Sequence, residues 1–174
     1  MMYTQFIDGA LTTHSNRESW INYNPANNNP LGEVYQANEQ DIEAAVNSSE
    51  RAFHIWKNKT GAERGRVLIK AAQILRSRLE KIALLETQDV GKPISESLAV
   101  DVSSAADALE YFGGVAATIH GEYVDLKNAF GYTRPEPLGV CAGIGAWNYP
   151  IQIASWKAAP ALACGNSMIF KPSE

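Results

Sequence analysis

Apolar positions between Asp41 and about Trp56 recur at helical spacing, through Ile42, Ala45, Val46, Phe53 and Trp56. Asn38 stands where a cap belongs, so the pattern predicts an amphipathic helix. Thr60-Gly-Ala-Glu63 has the spacing of a capping box and opens a long second helix. Its apolar stripe runs through Val67, Ala71, Ile74, Ile82 and Leu85. Gly91-Lys-Pro93 ends it, because proline lacks an amide hydrogen and disfavours helical backbone in the residue before it. A third helix is expected from about Ile94 to Ala117, its alanine and serine content suiting close helix packing. Residues 1–37 read as an irregular arm with short strands. Asn24-Pro-Ala-Asn-Asn-Asn-Pro30 supplies its turn chemistry.

From Gly121 the period changes. Tyr123–Leu126 and Phe130–Arg134 alternate, with Phe130 and Tyr132 on one face, and Lys127-Asn-Ala129 between them predicts a β-hairpin. Val140–Ile144 is then a short buried strand, Pro150–Cys164 a helix and Ser167–Phe170 a second buried strand. Strand, helix and strand within about thirty residues make a βαβ unit, hence an α/β chain with a parallel sheet. The organisation expected is an arm with helices over 1–120, a hairpin over 121–137 and the start of the parallel sheet over 138–174. The second buried strand leads into a polar cluster and the chain stops there. The sequence therefore reads as the front part of a cofactor-using enzyme, cut inside its nucleotide-binding domain. A strand left without its neighbours is expected to make it poorly soluble.

Composition narrows the function classes. A net charge of −4 argues against a sequence-independent grip on nucleic acid, and no apolar run approaches the roughly 18 residues a membrane span requires. The amino terminus has no basic region followed by an apolar stretch, so no secretory signal is expected and the location reads as cytoplasmic. Cys141 and Cys164 lie in apolar surroundings without a CxxC or Cys/His cluster and read as buried, reduced thiols. His14, His54 and His120 give no metal-ligand spacing.

Candidate chemistry gathers in the last forty residues. Gly143-Ile-Gly145 follows a strand, but the third glycine of G-x-G-x-x-G would fall on Asn148, so a dinucleotide bound here would not use the usual pyrophosphate loop. A simple turn is the other reading of those glycines. Asn148 sits after a strand and before a proline-started helix, where open α/β sheets bind ligands. Its carboxamide could donate to a developing oxyanion, or it could cap the helix. Lys171-Pro-Ser-Glu174 follows Met168-Ile-Phe170. There Lys171 could bond ribose hydroxyls or phosphate and Glu174 accept from both hydroxyls, repelling a 2′-phosphate and so favouring NAD over NADP. A solvated charge pair is the alternative.

The order of Ala146-Trp-Asn-Tyr-Pro150, Trp156-Lys-Ala-Ala-Pro-Ala-Leu-Ala163, Gly165-Asn166 and Lys171-Pro-Ser-Glu174 resembles the aldehyde dehydrogenase superfamily. Asn24-Pro-Ala-Asn27, Glu86-Thr-Gln-Asp-Val-Gly-Lys-Pro93 and Arg134-Pro-Glu-Pro-Leu-Gly139 resemble its amino-terminal half, so the likeness spans essentially the whole chain. Within it, Gly143 to Ala154 is most similar to the betaine aldehyde dehydrogenases. The resemblance implies the amino-terminal part of that fold, with helices, a hairpin arm for oligomerisation and the first βαβ unit of a Rossmann-like NAD-binding sheet. It implies that Asn148 is the oxyanion-hole donor, that Gly145, Ala146 and Trp147 lie along the cofactor, and that Lys171 and Glu174, with Pro172 and Ser173, hold the adenosine ribose. It also implies a charge-relay part for Lys157. At Asn22, Tyr23 and Asp89 it implies a monovalent-cation (potassium) site, the first two acting through backbone oxygens.

Members of that family are much longer, and their nucleophilic cysteine and general-base glutamate lie beyond residue 174. Neither Cys141 nor Cys164 has the electropositive, accessible setting a nucleophilic thiolate needs. The expectation is a homo-oligomeric enzyme's amino-terminal portion acting on a small aldehyde, inactive alone. The competing expectation is a fragment that only binds nucleotide or joins an oligomer.

Overall fold

The computed structural model of the chain describes residues 2–13 and 17–173. The arm holds β1 (Met2–Tyr3), β2 (Phe6–Ile7), β3 (Ala10–Leu11), β4 (Ser19–Tyr23) and β5 (Pro30–Tyr35). β5 lies between β1, to which it is parallel, and β4, to which it is antiparallel, while β2 and β3 form a small hairpin.

Helix α1 (Glu39–Trp56) opens on the expected cap. Asn38 accepts from the Asp41 N–H at 3.0 Å, and the Asp41 carboxylate accepts from the Asn38 N–H at 2.9 Å. Phe53 and Trp56 are half-buried, but Ile42 and Val46 are exposed, and the one buried side chain of α1 is Asp41, facing Arg17. Helix α2 (Gly61–Ser77) opens on the expected capping box, in which the Thr60 backbone N–H and hydroxyl hold the Glu63 carboxyl below its ordinary range.

The long second helix is in fact two. It ends at Ser77, whose hydroxyl donates to the Ile74 carbonyl at 2.8 Å, and α3 (Leu79–Val90) starts after Arg78. A local hydroxyl bond of this kind competes with the helical ladder. Gly91 closes α3 in a left-handed conformation (φ 75°), as the Gly-Lys-Pro run predicts. The buried face is also turned by one residue, about 100°. Leu68, Ala72, Ala83 and Glu86 are buried, whereas Val67, Ile74 and Leu85 are exposed.

The reason lies in the third helix. It begins as α4 (Ile94–Glu96), passes through a π turn at Ser97–Asp101 and continues as α5 (Val102–Val115). The π turn, absent from the sequence expectation, aims both Ser97 and Asp101 inward. Against α5, a Cβ on Gly65 would stand 2.3 Å from the Gly113 carbonyl oxygen. Backbones that close admit only small residues, so the crossing selects the Gly65–Leu68–Ala72 face and leaves the bulkier apolar groups outside.

β6 (Tyr123–Leu126) and β7 (Ala129–Tyr132) form the hairpin, turned by Lys127-Asn128 alone, one residue tighter than expected. Tyr123 and Phe130 stack at 5.7 Å on strands that stay largely exposed. β8 (Val140–Ile144), α6 (Pro150–Ala163) and β9 (Ser167–Lys171) then make the βαβ unit, with parallel pairing from Val140↔Ser167 to Ile144↔Lys171. Helices α1 and α6 both pack against this strand pair. The core joins α2, α5 and α6 through Leu68, Ala72, Ala106, Leu109, Ala159 and Ala163. Among the described residues no helix is long and apolar enough to cross a membrane.

Replacing Gly65 with alanine should lower unfolding free energy by about 1–3 kcal/mol, the usual cost of overpacking. A urea midpoint equal to that of the parent chain would show that α2 and α5 are not held at backbone contact.

Candidate cofactor and oxyanion site

Parallel pairing brings the two polar clusters of the sequence to one end of the sheet. Ile144 faces Lys171 across the ladder, and the Gly145 N–H donates to the Lys171 carbonyl at 2.8 Å, extending the pairing by one step. A Cβ on Gly145 would lie 2.9 Å from the Phe170 ring and 3.1 Å from the Pro172 Cα, so the close approach of the two strand ends requires glycine. Beyond it, Ala146 and Asn148 are half-buried and Trp147 is 68% exposed. Lys171, Pro172 and Ser173 are exposed at the same sheet end. Glu174, the other expected ribose ligand, lies outside the described residues.

Asn148 does not cap α6. The cap position is Tyr149, which offers no side-chain bond, and Pro150 starts the helix. Among the described residues the Asn148 carboxamide has no hydrogen-bond partner, which leaves its NH₂ able to donate to a ligand. The Ile151 N–H, one of the first-turn donors without an intrahelical acceptor, is met instead by Glu86 Oε2 of α3 at 3.4 Å.

Glu86 was not singled out by sequence reasoning. It is 5% exposed, and Oε1 has no donor to accept from. Burial pushes its carboxyl up to about 7, helped by a hydrogen bond with Asp101 and by that group's charge, against the opposing Ile151 N–H and Lys92. A proton on Glu86 is the donor this pair of acceptors lacks. The available signal was positional: Glu86 lies three residues after Ala83 on the inward face of α3, where a carboxylate is out of place.

The remaining expected residues are dispersed. Lys157 is exposed on α6, seven residues beyond Pro150, about 10 Å along the helix. Its neighbours Gln152 and Trp156 both donate to the Ser104 hydroxyl of α5, at 2.9 and 3.2 Å. Cys164 is exposed, correcting its expected burial, and caps the far end of α6. A 14-residue helix is about 21 Å long, so Cys164 stands that far from Asn148. Cys141 is half-buried in β8, four residues before Gly145, about 13 Å along the strand. Neither thiol is positioned for a reaction at Asn148.

Asn22 and Asp89 do meet: the Asn22 carboxamide donates to Asp89 Oδ1 at 2.6 Å. Tyr23 follows at an irregularity in the β4–β5 register, opposite Pro30, which has no N–H to offer its carbonyl. The contact between Asn22 and Asp89 is thus through the Asn22 carboxamide rather than a backbone oxygen. No cluster of three His, Cys, Asp or Glu side chains occurs among the described residues.

Residues 12–174 match the aldehyde dehydrogenase family. Betaine aldehyde dehydrogenase 2 of Rhizobium meliloti (strain 1021) is 53% identical over 171 residues, covering 98% of this chain and 36% of the relative. The chain thus spans about a third of that relative's length. Among solved structures, PnpE in complex with nicotinamide adenine dinucleotide superposes with TM-score 0.94 at 34% identity, over 99% of this chain and 36% of that one. A betaine aldehyde dehydrogenase double mutant from Staphylococcus aureus, in complex with NAD+, superposes with TM-score 0.91 at 36% identity, over 98% and 34%.

The buried acid predicts a pH signature. The folded chain holds the Glu86 proton up to about pH 7, whereas the unfolded chain releases it near the ordinary 4.5. The stability this proton contributes is therefore complete below 4.5 and is lost as pH rises through about 7, at up to about 1.4 kcal/mol per pH unit. Urea unfolding of the parent and Glu86→Gln should diverge across that window, the parent losing more. Parallel curves would refute the buried-acid assignment.

Proposed function

The chain belongs to the aldehyde dehydrogenase family, and from that membership we propose that it forms the oxyanion donor and part of the NAD grip of an NAD-dependent enzyme oxidising betaine aldehyde to glycine betaine. The observation that carries the reading is the β8–β9 register, which sets the Gly145–Asn148 loop beside Lys171 at the carboxyl end of a parallel pair. The betaine substrate is supported by the 53% identity to a betaine aldehyde dehydrogenase, and NAD by solved relatives that hold it.

The residues present fit the cofactor. Gly145 leaves the strand ends without a Cβ, and the backbone of half-buried Ala146 and exposed Trp147 can lie along a dinucleotide. Lys171 would donate to ribose hydroxyls, with Pro172 and Ser173 shaping the turn and Glu174 completing the ribose set. NAD, when bound, supplies the hydride acceptor. Asn148 donates its carboxamide N–H to the aldehyde oxygen as negative charge gathers there, an interaction whose loss typically costs roughly 10²–10³ in turnover. Lys157 carries the charge-relay role by resemblance alone. A potassium site at Asn22, Tyr23 and Asp89 rests on resemblance, with the Asn22–Asp89 contact as the one link between them. The exposed β6–β7 hairpin would serve as the oligomerisation arm, and two unpaired cysteines accord with a cytoplasmic location.

The second reading, a nucleotide-binding or oligomerising piece without turnover of its own, is favoured by the distance of both cysteines from Asn148. For these 174 residues alone we expect NAD binding without catalysis. Equilibrium dialysis should detect NAD, with Lys171→Ala weakening it about tenfold, the scale of one hydrogen bond to a charged group. No NADH should form from betaine aldehyde. Turnover would overturn the division of labour proposed, and absent NAD binding would overturn the cofactor grip.

A further inference from the structure

Glu86 and Asp101 lie buried, and Lys92 half-buried, against the chain that follows Asn148, and they take no part in the reading above. Glu86 comes from α3, Lys92 follows its left-handed end, and Asp101 closes the π turn. The Lys92 ammonium donates to Asp101 Oδ2, whose side chain is 2% exposed, and stands 5.6 Å from the centre of the Tyr149 ring. Glu86 accepts from the Ile151 N–H at 3.4 Å. The cluster therefore holds the chain at Tyr149 and Ile151, the two residues flanking Pro150 immediately after Asn148. No other acceptor for the Ile151 N–H occurs among the described residues.

We propose that Glu86 is a positioning residue for Asn148: by capping α6 from another helix, with Lys92 steadying Tyr149, it frees the Asn148 carboxamide and makes its orientation depend on a proton shared between Glu86 and Asp101. This rests on the reading of Asn148 as the oxyanion donor. With the proton in place, Glu86 donates to Asp101 through one oxygen and accepts from Ile151 through the other, so each partner is satisfied. Without it, two carboxylates face each other in a buried site and Glu86 Oε1 has no donor. The charged groups around Glu86 are Asp101 on the π turn and Lys92 beyond α3. Glu96 of α4 reaches Lys92 at 3.9 Å, and α6 contributes the Ile151 N–H. Loss of the proton draws Lys92 toward the pair and away from Tyr149, which loosens the loop that carries Asn148.

The test is ¹⁵N–¹H NMR of the whole 174-residue chain from about pH 5 to about pH 9, following the Asn148 side-chain NH₂ and the Ile151 amide. Both should move with one midpoint in the parent. Glu86→Gln, which keeps an acceptor but cannot titrate, should hold both signals near their low-pH positions at every pH. Glu86→Ala should speed exchange of the Ile151 amide about tenfold or more and displace the Asn148 signals. A merely structural role would alter stability in both variants without the pH-flat rescue by glutamine. Unmoved Asn148 signals in a folded Glu86→Ala chain would overturn the inference, as would the parent's pH response persisting in Glu86→Gln. That second criterion decides the matter if the alanine variant does not fold. Because the signals are read without substrate, they are independent of the oxyanion reading, which an undiminished kcat for Asn148→Ala in the whole enzyme would overturn while leaving this result standing.

Discussion

The site depends on the parallel pairing of β8 with β9. A parallel register sends both strands toward the same end, so whatever follows each of them meets there. Ile144 opposite Lys171, continued by the Gly145 N–H to the Lys171 carbonyl, fixes the step at which the two polar clusters emerge. An antiparallel arrangement of the same segments would put residues 145–148 and 171–173 at opposite ends and leave no common edge for a dinucleotide. Helix α6 is the crossover that makes the parallel arrangement possible. Its far end is fastened by side chains from the preceding region: Trp56 donates to the Leu162 carbonyl and Arg64 to the Ala163 carbonyl. The arm and helices thus set the strand geometry on which the chemistry rests.

Local punctuation was legible in the sequence. Asn38 with Asp41, and Thr60 with Glu63, form their reciprocal caps, and Gly91 turns left-handed to stop α3. These features rest on bonds within three or four residues, so nothing distant can overrule them. The strand–helix–strand unit was readable from the order of its short apolar runs, but the expected burial of its first strand was not. β8 is largely exposed, with Gly143 its one buried residue, because among the described residues only β9 pairs with it. Nor were the inward helical faces readable. Val67, Ile74 and Leu85 make the more apolar stripe, yet packing is decided by how closely two backbones can approach, and Gly65 against Gly113 outweighs them. The break at Arg78 falls beside the Ser77 hydroxyl's bond to the Ile74 carbonyl, and the π turn carries Ser97 and Asp101 inward, neither marked by proline.

The site residues divide along the same line. Asn148, Gly145 and Lys171 could be picked out because each follows an apolar strand, a relation visible in one dimension. Asn148 remained ambiguous between donor and cap, because both roles suit a carboxamide before a proline-started helix. Three-dimensional structure removes the cap role, since Tyr149 holds that position and the Ile151 N–H is met by Glu86, 62 positions before Asn148 in the chain, a contact of the kind no local pattern can announce. Glu86 itself passed unnoticed because a glutamate in a helix is ordinarily a solvated group. The expected burial of Cys164 failed for the converse reason, since alanine and glycine neighbours do not by themselves cover a thiol at a helix end.

A buried acid at the head of α6 also resolves a conflict between two uses of one helix terminus. The N-terminal end of a helix carries partial positive charge, which favours an anionic ligand but equally favours an ionised carboxylate cap. A fully charged cap would answer the orphan N–H and cancel much of the field that a developing oxyanion or a pyrophosphate could use. A carboxyl pushed up to about 7 by burial and by Asp101 accepts the Ile151 N–H just as well and, below that pH, adds little charge. The helix end is then satisfied in its hydrogen bonding and still electropositive toward Asn148. The cost of placing Glu86 where it resists ionisation is offset by that distinction between accepting a bond and carrying a charge. Lys92 stands against Asp101, so the carboxyl that faces Glu86 is itself held in an ion pair.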